Sequence, residues 1–261
     1  MQDKSALGRA LAMVRDLRKR CPWDRAQTRE TLRPYLVEEA LELDEALGGG
    51  DIDSIRAELS DLLLHLAFQM VIAEEDGQFT PADVAEILEA KMRRRHPHLF
   101  DLGAAEPWER LKRRERKGTL TGIVPTLPPL LKAQRLQERA ASVGFDWPDV
   151  KGPIAKVREE LEEVEAELTP GVAPSTALAG EIGDLLFAAV NLARKAGIDP
   201  TLALDGANRK FRERFEGVER LAAQRGVDIE TAGLEALDGL WNEVKVMGTA
   251  GESAAGRRSP P

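Results

Sequence analysis

Two pairs of carboxylates, each set three residues apart in fixed register with an apolar stripe, constrain this chain more than any other feature. Glu160 and Glu163 lie in Lys156-Val-Arg-Glu-Glu-Leu-Glu-Glu-Val-Glu165, and a second pair lies in Glu181-Ile-Gly-Asp184. On an α-helix that spacing puts both acids of a pair on one face. Ile154, Val157, Leu161, Val164 and Leu168 step by three and four, which predicts a core-facing stripe. Glu160 and Glu163 each precede a stripe member and are expected to flank the buried seam. Glu181 and Asp184 stand in the same relation to Ile182 and Leu185. Packed antiparallel, the two helices would bring four carboxylates to the edge of a core. Like charges that close raise each other's pKa or need a cation. An all-oxygen set suits Mg²⁺, with Mn²⁺ as a substitute.

A single pair of glutamates three apart is commonly no more than a solvated helix face. Here the arrangement recurs. Glu38-Glu39-Ala-Leu-Glu42 matches Glu159-Glu160-Leu-Glu-Glu163, and Glu58-Leu-Ser-Asp61 matches Glu181-Ile-Gly-Asp184. Lys91-Met-Arg-Arg-Arg95 matches Lys210-Phe-Arg-Glu-Arg214, and Trp108-Glu-Arg-Leu-Lys112 matches Trp241-Asn-Glu-Val-Lys245. The first three offsets are 121, 123 and 119 positions, so only small loop changes separate the copies. This pattern predicts a tandem duplication of one helical unit. Its first copy has its own metal candidates in Glu39, Glu42, Glu58 and Asp61.

The periodicity predicts helices throughout. In the first copy they cover 6–20, a stretch from a cap at Thr28 or Thr31 to Gly48, and one from a cap at Asp53 or Ser54 to about Glu75. Helices over Ala82–Arg95 and Trp108–Arg116 follow. The second copy is expected to hold helices over Leu130–Ser142, around Glu160, around Glu181, over Pro200–Gln224 and over Leu234–Val246. Gly118 to Pro129, with three prolines, reads as a linker. The expected organisation is a domain over 1–117, a linker over 118–129, a second domain over 130–247 and a disordered tail over 248–261. The fold class is all-α, each domain giving helix pairs to four-helix bundles completed by a second copy of the chain.

Composition narrows the function classes. A formal net charge of −8 argues against a general nucleic-acid binder. The single cysteine, Cys21, excludes an internal disulfide and fits a reducing cytoplasm. No run is expected to be long and apolar enough for a signal peptide or a membrane span, so the expected location is cytoplasmic.

Beside the acids, Lys210 and Arg214 lie four apart and suit anionic oxygens, the arginine by bidentate geometry. Trp241 offers a flat face for a base, Lys245 lies one turn on, and Lys156, one turn before Glu160, is a further phosphate candidate. A metal, a phosphate clamp and a stacking surface together describe a nucleoside triphosphate pocket. His96 and His98 flank Pro97 with no third ligand nearby, which favours loop packing over metal binding. His65 lies inside the Glu58 helix and reads as a core or interface residue.

Taken with Cys21-Pro-Trp-Asp24, Arg94-Arg-His-Pro-His98, Val143-Gly-Phe-Asp-Trp147 and Gly183-Asp-Leu-Leu-Phe-Ala-Ala-Val-Asn-Leu-Ala-Arg194, the acid pairs make residues 6 to 247 resemble the MazG family. That family comprises two-repeat nucleoside triphosphate pyrophosphohydrolases of the all-α NTP pyrophosphatase superfamily. The resemblance implies Mg²⁺-dependent hydrolysis of NTPs and dNTPs to the monophosphate and pyrophosphate by a homodimer. It implies Glu160, Glu163, Glu181 and Asp184 as metal ligands. It implies a nucleotide site lined by Lys156, Val157, Arg158, Glu159, Glu160, Asp184, Lys210, Phe211, Arg212, Glu213, Arg214, Trp241 and Lys245. The second copy is expected to carry the reaction, although the first retains its acids. Residues 177–180, Ala-Leu-Ala-Gly, depart from the family by offering no charge before Glu181.

Attack at the α-phosphorus places charge on the departing diphosphate, where Mg²⁺ and Lys/Arg stabilise it. Glu159 or one of the ligand glutamates orients the attacking water. The expected role is nucleotide-pool house-cleaning or a (p)ppGpp-linked stress response. Two alternatives share these residues: a non-catalytic nucleotide- or partner-binding regulator, and a narrow dUTP-type pyrophosphatase.

Overall fold

A computed structural model describes residues 5–100, 102–106, 118–168 and 173–255, with side chains described up to residue 247. The chain separates into two compact units, Met1–Leu111 and Lys112–Pro261. Among the described residues there are ten α-helices and no strand. The expected Trp108–Arg116 helix, with Trp108 and Lys112, lies outside them.

The first unit holds α1 (Ala6–Arg20), α2 (Pro22–Ala26), α3 (Arg29–Gly49), α4 (Ile52–Glu75) and α5 (Pro81–Arg95), closed by a 3₁₀ turn at Pro97–Leu99. Local chemistry sets these boundaries. Thr28 and Thr31 cap α3 reciprocally, satisfying two donors its first turn leaves open. Gly50, at φ 75°, ends that helix in the left-handed region that a β-carbon disfavours. The cap of α4 is Asp51, whose carboxylate accepts from the Ser54 amide at 2.9 Å, and not Asp53 or Ser54 as the sequence suggested. Val14, Leu32, Ala67, Phe68, Val71 and Ile72 form the buried core, which fixes α1 and the start of α3 against the C-terminal half of α4.

The second unit holds α6 (Pro129–Ala141), α7 (Lys151–Glu167), α8 (Thr176–Lys195), α9 (Pro200–Arg225) and α10 (Gly233–Ala255). Helix α7 packs along α8, α6 against α8, and α9 along α10. Val218, Ala222 and Leu240 make the core of the last pair, with Trp241 packed against it. The last helix was expected to stop at Val246. It runs on because residues 247–255 hold no proline, and alanine and glutamate there favour helix.

The stripe on α7 sits differently from its sequence reading. Pro153, Glu160 and Val164 are its buried residues, whereas Leu161 is 46% exposed. The seam has turned so that Glu160 lies in it and Leu161 faces outwards. Tyr35, Leu41, Leu59 and Leu66 on α3 and α4, and Ile182, Leu186 and Phe187 on α8, are exposed apolar side chains as well. One helix, Thr176–Lys195, is long and apolar enough to cross a membrane by length and composition, contrary to expectation. It packs instead against α6 and α7 and carries Glu181 and Asp184, which hydrocarbon would exclude at high cost.

Candidate metal and nucleotide site

In the second unit, α7 and α8 bring ligand oxygens of Glu160, Glu163 and Glu181 to within 4.8 Å of one another. Glu160 is only 4% exposed, Glu181 is half-buried and Glu163 stands on the open edge. Desolvation, followed by the charges of Glu160 and Glu181, pushes the Glu163 carboxyl above its ordinary value, and Lys156 works against that rise. Asp184, one turn along α8 from Glu181, is exposed and lies outside this group. Three of the four expected acids therefore converge.

Lys156 sits among them. Its Nζ lies 2.5 Å from Glu160 Oε1 and 2.9 Å from Glu159 Oε1, one turn away on the same helix. Those two carboxylates, Glu160 foremost, hold the ammonium protonated well above the usual lysine range. Val157 is half-buried, whereas Arg158 and Glu159 are exposed.

The first unit builds the matching group from α3 and α4, with Glu39, Glu58 and Asp61 oxygens within 4.8 Å of one another. Glu42 is exposed and outside it. Burial, and then Asp61 and Glu42, raise the Glu39 pKa. His65 is buried as expected, but its Nε2 also lies 3.7 Å from Glu39 Oε1 and its ring stacks on Tyr35.

Both oxygen sets fit a hard divalent cation. Ligands about 2.1 Å from one ion lie within roughly 4.2 Å of one another, close to the observed grouping. The raised carboxyl pKa values mark charge crowding that a cation relieves. In the second unit Glu160, Glu163 and Glu181 would hold it.

The basic and aromatic candidates gather between α9 and α10. Lys210, Glu213, Arg214 and Lys245 line a cleft of about 430 Å³. Trp241 is half-buried, with the Phe211 ring 5.3 Å away and the Arg214 guanidinium 6.0 Å above it, so neighbours already cover part of its face. Phe211 and Arg212 are exposed.

A second cavity, of about 600 Å³, escaped the sequence reading. Leu136 and Gln137 of α6, Phe145, Asp146 and Trp147 of the following loop, and Phe187, Asn191 and Arg194 of α8 line it. One signal was available: Gln134 and Gln137 occupy inward positions of α6 where an apolar residue is the default, and both are buried.

Paired helices that present clustered carboxylates beside a lysine, with a basic cleft in the same unit, define a class: an all-α protein equipped for divalent cations and phosphate esters. Residues 27–100 match the family model of the MazG nucleotide pyrophosphohydrolase domain, a span that includes the acids of the first unit. The nucleoside triphosphate pyrophosphohydrolase of Escherichia coli (strain K12) is 41% identical over 244 residues, 89% of this chain and 93% of the relative. A nucleoside triphosphate pyrophosphohydrolase/pyrophosphatase MazG of Thermotoga maritima is 43% identical over 232 residues, 86% of this chain and 89% of the relative. The nucleoside triphosphate pyrophosphohydrolase of Mycobacterium tuberculosis is 36% identical over 173 residues, 61% of this chain and 52% of the relative. The chain belongs to the MazG family of nucleoside triphosphate pyrophosphohydrolases.

Proposed function

We propose that this chain hydrolyses nucleoside and deoxynucleoside triphosphates to the monophosphate and pyrophosphate, chiefly at the acid group of the second unit. The observation that carries the reading is the convergence of Glu160, Glu163 and Glu181 around one point beside Lys156. The names of the relatives support the reaction class. A bound Mg²⁺ or Mn²⁺ supplies charge neutralisation on the phosphate oxygens.

The residues divide the remaining work. Lys156, 2.5 Å from Glu160 Oε1, donates from its ammonium to the phosphate oxygens. Lys210, Arg214 and Lys245 draw the outer phosphates to the α9–α10 cleft, the arginine by paired N–H donors. Asp184, exposed one turn from Glu181, would be the fourth acid to hold the cation. Water oxygen bonds to the α-phosphorus, the bond from that phosphorus to the α–β bridging oxygen breaks, and diphosphate leaves with the electron pair. Glu159 or one of the clustered glutamates takes the water proton.

The exposed apolar faces of the α3–α4 and α7–α8 pairs support a homodimer in which a second copy covers them, each pair forming half of a four-helix bundle. We place this enzyme in the cytoplasm as a house-cleaning or (p)ppGpp-linked nucleotide hydrolase built from a duplicated unit. Incubation with each NTP and dNTP, resolving monophosphate, diphosphate, phosphate and pyrophosphate, tests the reading. Monophosphate and pyrophosphate are expected with Mg²⁺ or Mn²⁺. Diphosphate with phosphate, or full turnover in excess EDTA, overturns it. Binding without turnover indicates the regulatory alternative, and turnover of dUTP alone the narrow one.

A further inference from the structure

The acid group of the first unit differs from that of the second by a nitrogen. His65 of α4 is 8% exposed, and its Nε2 lies 3.7 Å from Glu39 Oε1. That is too long for a hydrogen bond, so this nitrogen faces the group without being engaged by it. Nδ1 is buried and meets no partner among the described residues, whichever ring nitrogen carries the proton. Nε2 hydrogen-bonds to none of them either, but it is not sealed from solvent as Nδ1 is. A buried imidazole without a hydrogen bond is costly, and a cation bound at Nε2 supplies the missing interaction.

The ring is placed for that role. Glu58, Asp61 and His65 step by three and four along one side of α4, and α3 supplies Glu39 opposite them. Oxygens of the three acids lie within 4.8 Å of one another. Ligand atoms about 2.1 Å from one ion lie within roughly 4.2 Å of one another. The 3.7 Å between Nε2 and Glu39 meets that limit. Tyr35, one turn before Glu39 on α3, stacks on the imidazole and holds its orientation. The second unit has neither part. Position 156, which is 35 + 121, is Lys156, and position 188, which is 65 + 123, is Ala188. One acid group therefore has an ammonium beside it, and the other an imidazole.

Resting on the reading of the acid groups as cation sites, and not on hydrolysis, we infer that the first unit holds its own divalent ion through Glu39, Glu58, Asp61 and His65. His65 makes that site select ions such as Co²⁺ and Zn²⁺ over Mg²⁺. Carboxylates alone suit Mg²⁺ and Mn²⁺, whereas an imidazole nitrogen moves the preference towards ions later in the first transition row. The ion joins α3 to α4 and is distinct from the ion of the second unit, whose ligands are all oxygens.

The test uses the full chain carrying Glu160→Ala and Glu181→Ala, which disables the acid group of the second unit. Mn²⁺ serves as the spectroscopic probe. Pulsed electron paramagnetic resonance of the bound ion is expected to show modulation from a coordinated ¹⁴N nucleus. Labelling with ¹⁵N-histidine should move that modulation to the ¹⁵N frequency with the fold untouched. Adding His65→Gln should remove it. Displacement of Mn²⁺ by Co²⁺ and by Mg²⁺ reads the selectivity. His65→Gln should weaken Co²⁺ binding by about tenfold or more and leave Mg²⁺ binding nearly unchanged. Bound Mn²⁺ without nitrogen modulation, modulation that survives His65→Gln, equal losses for Co²⁺ and Mg²⁺, or no Mn²⁺ bound at all would overturn the inference. Pyrophosphate release by the wild-type chain enters none of these readouts, so the hydrolase reading and this inference fail separately.

Discussion

Lys156 Nζ lies 2.5 Å from Glu160 Oε1, so the buried acid of the second unit carries its own counter-charge. The first unit has no lysine there. Position 35, which is 156 − 121, is Tyr35, and it stacks on the His65 that faces Glu39. Replacing Lys156 by glutamine should therefore have two opposed effects. Glu160 becomes a buried carboxylate with no ammonium beside it, so the melting temperature without metal falls. Added Mg²⁺ or Mn²⁺ then raises the melting temperature by more than in the wild type, while turnover drops at least tenfold for want of the phosphate contact. A metal-induced shift no larger than the wild-type shift would show that Lys156 does not stand in for a cation.

The same contrast bears on which unit works. Glu160→Ala, Glu181→Ala and Asp184→Ala are each expected to abolish turnover with the fold intact. In metal-free protein they should hold or raise the melting temperature, except Glu160→Ala, which also removes the partner of Lys156. Glu39→Ala and Asp61→Ala should leave most turnover in place. Steady-state assays beside circular dichroism decide the matter. Abolition by Glu39→Ala with activity retained in Glu160→Ala would reverse the assignment.

Much of this was legible in the sequence because two periodicities coincide. The 3.6-residue apolar period marks the helices, and the three-residue acid spacing marks the faces that meet. The α3 cap at Thr28 or Thr31 follows from side-chain chemistry that acts within one turn, whereas the Ser175 cap of α8 was not read from the sequence. Rotation of a helix about its axis is a tertiary property, decided by what packs on it. The periodicity of α7 therefore could not tell whether Glu160 flanks the seam or enters it. The cavity was hidden for the same reason. Gln137, Trp147 and Asn191 come from three separate segments, and their meeting depends on how α6 crosses α8.

Close approach of α9 and α10 depends on Gly217. A β-carbon there would stand 2.7 Å from Val244 Cγ1 and 3.3 Å from Cγ2. Val244 is β-branched and packed against the Val218–Ala222–Leu240 core, so it cannot swing aside. Gly217→Ala gains helix propensity of about 1 kcal/mol but forces the helices apart at a cost of roughly 1–3 kcal/mol. Urea unfolding should show a net loss. Because Arg214 and Lys245 line opposite sides of the cleft, KM for nucleotides should rise as well. A variant as stable as the wild type, with unchanged KM, would refute the packing argument.

Asp146 ties the Phe145–Trp147 loop to α8 through Arg194 Nη2 at 2.5 Å and Lys195 Nζ at 3.0 Å. Its hydrogen bond from Arg194, followed by that from Lys195, lowers its pKa from the ordinary 3.8 to about 2 against the opposing effect of burial. A carboxyl whose folded pKa is depressed stabilises the protein above its unfolded value and loses that contribution as pH falls through the folded one. The stabilisation is thus complete above pH 3.8 and fades towards pH 2. The Asp146 side chain is 21% exposed, and solvent screening reduces the contribution at neutral pH to about 1 kcal/mol. Asp146→Asn should lose about that much in urea unfolding at pH 7, and the gap to the wild type should close as the pH approaches 2. Equal stability of the two proteins at pH 7, or a gap that does not narrow on acidification, would show that this ion pair does not hold the loop.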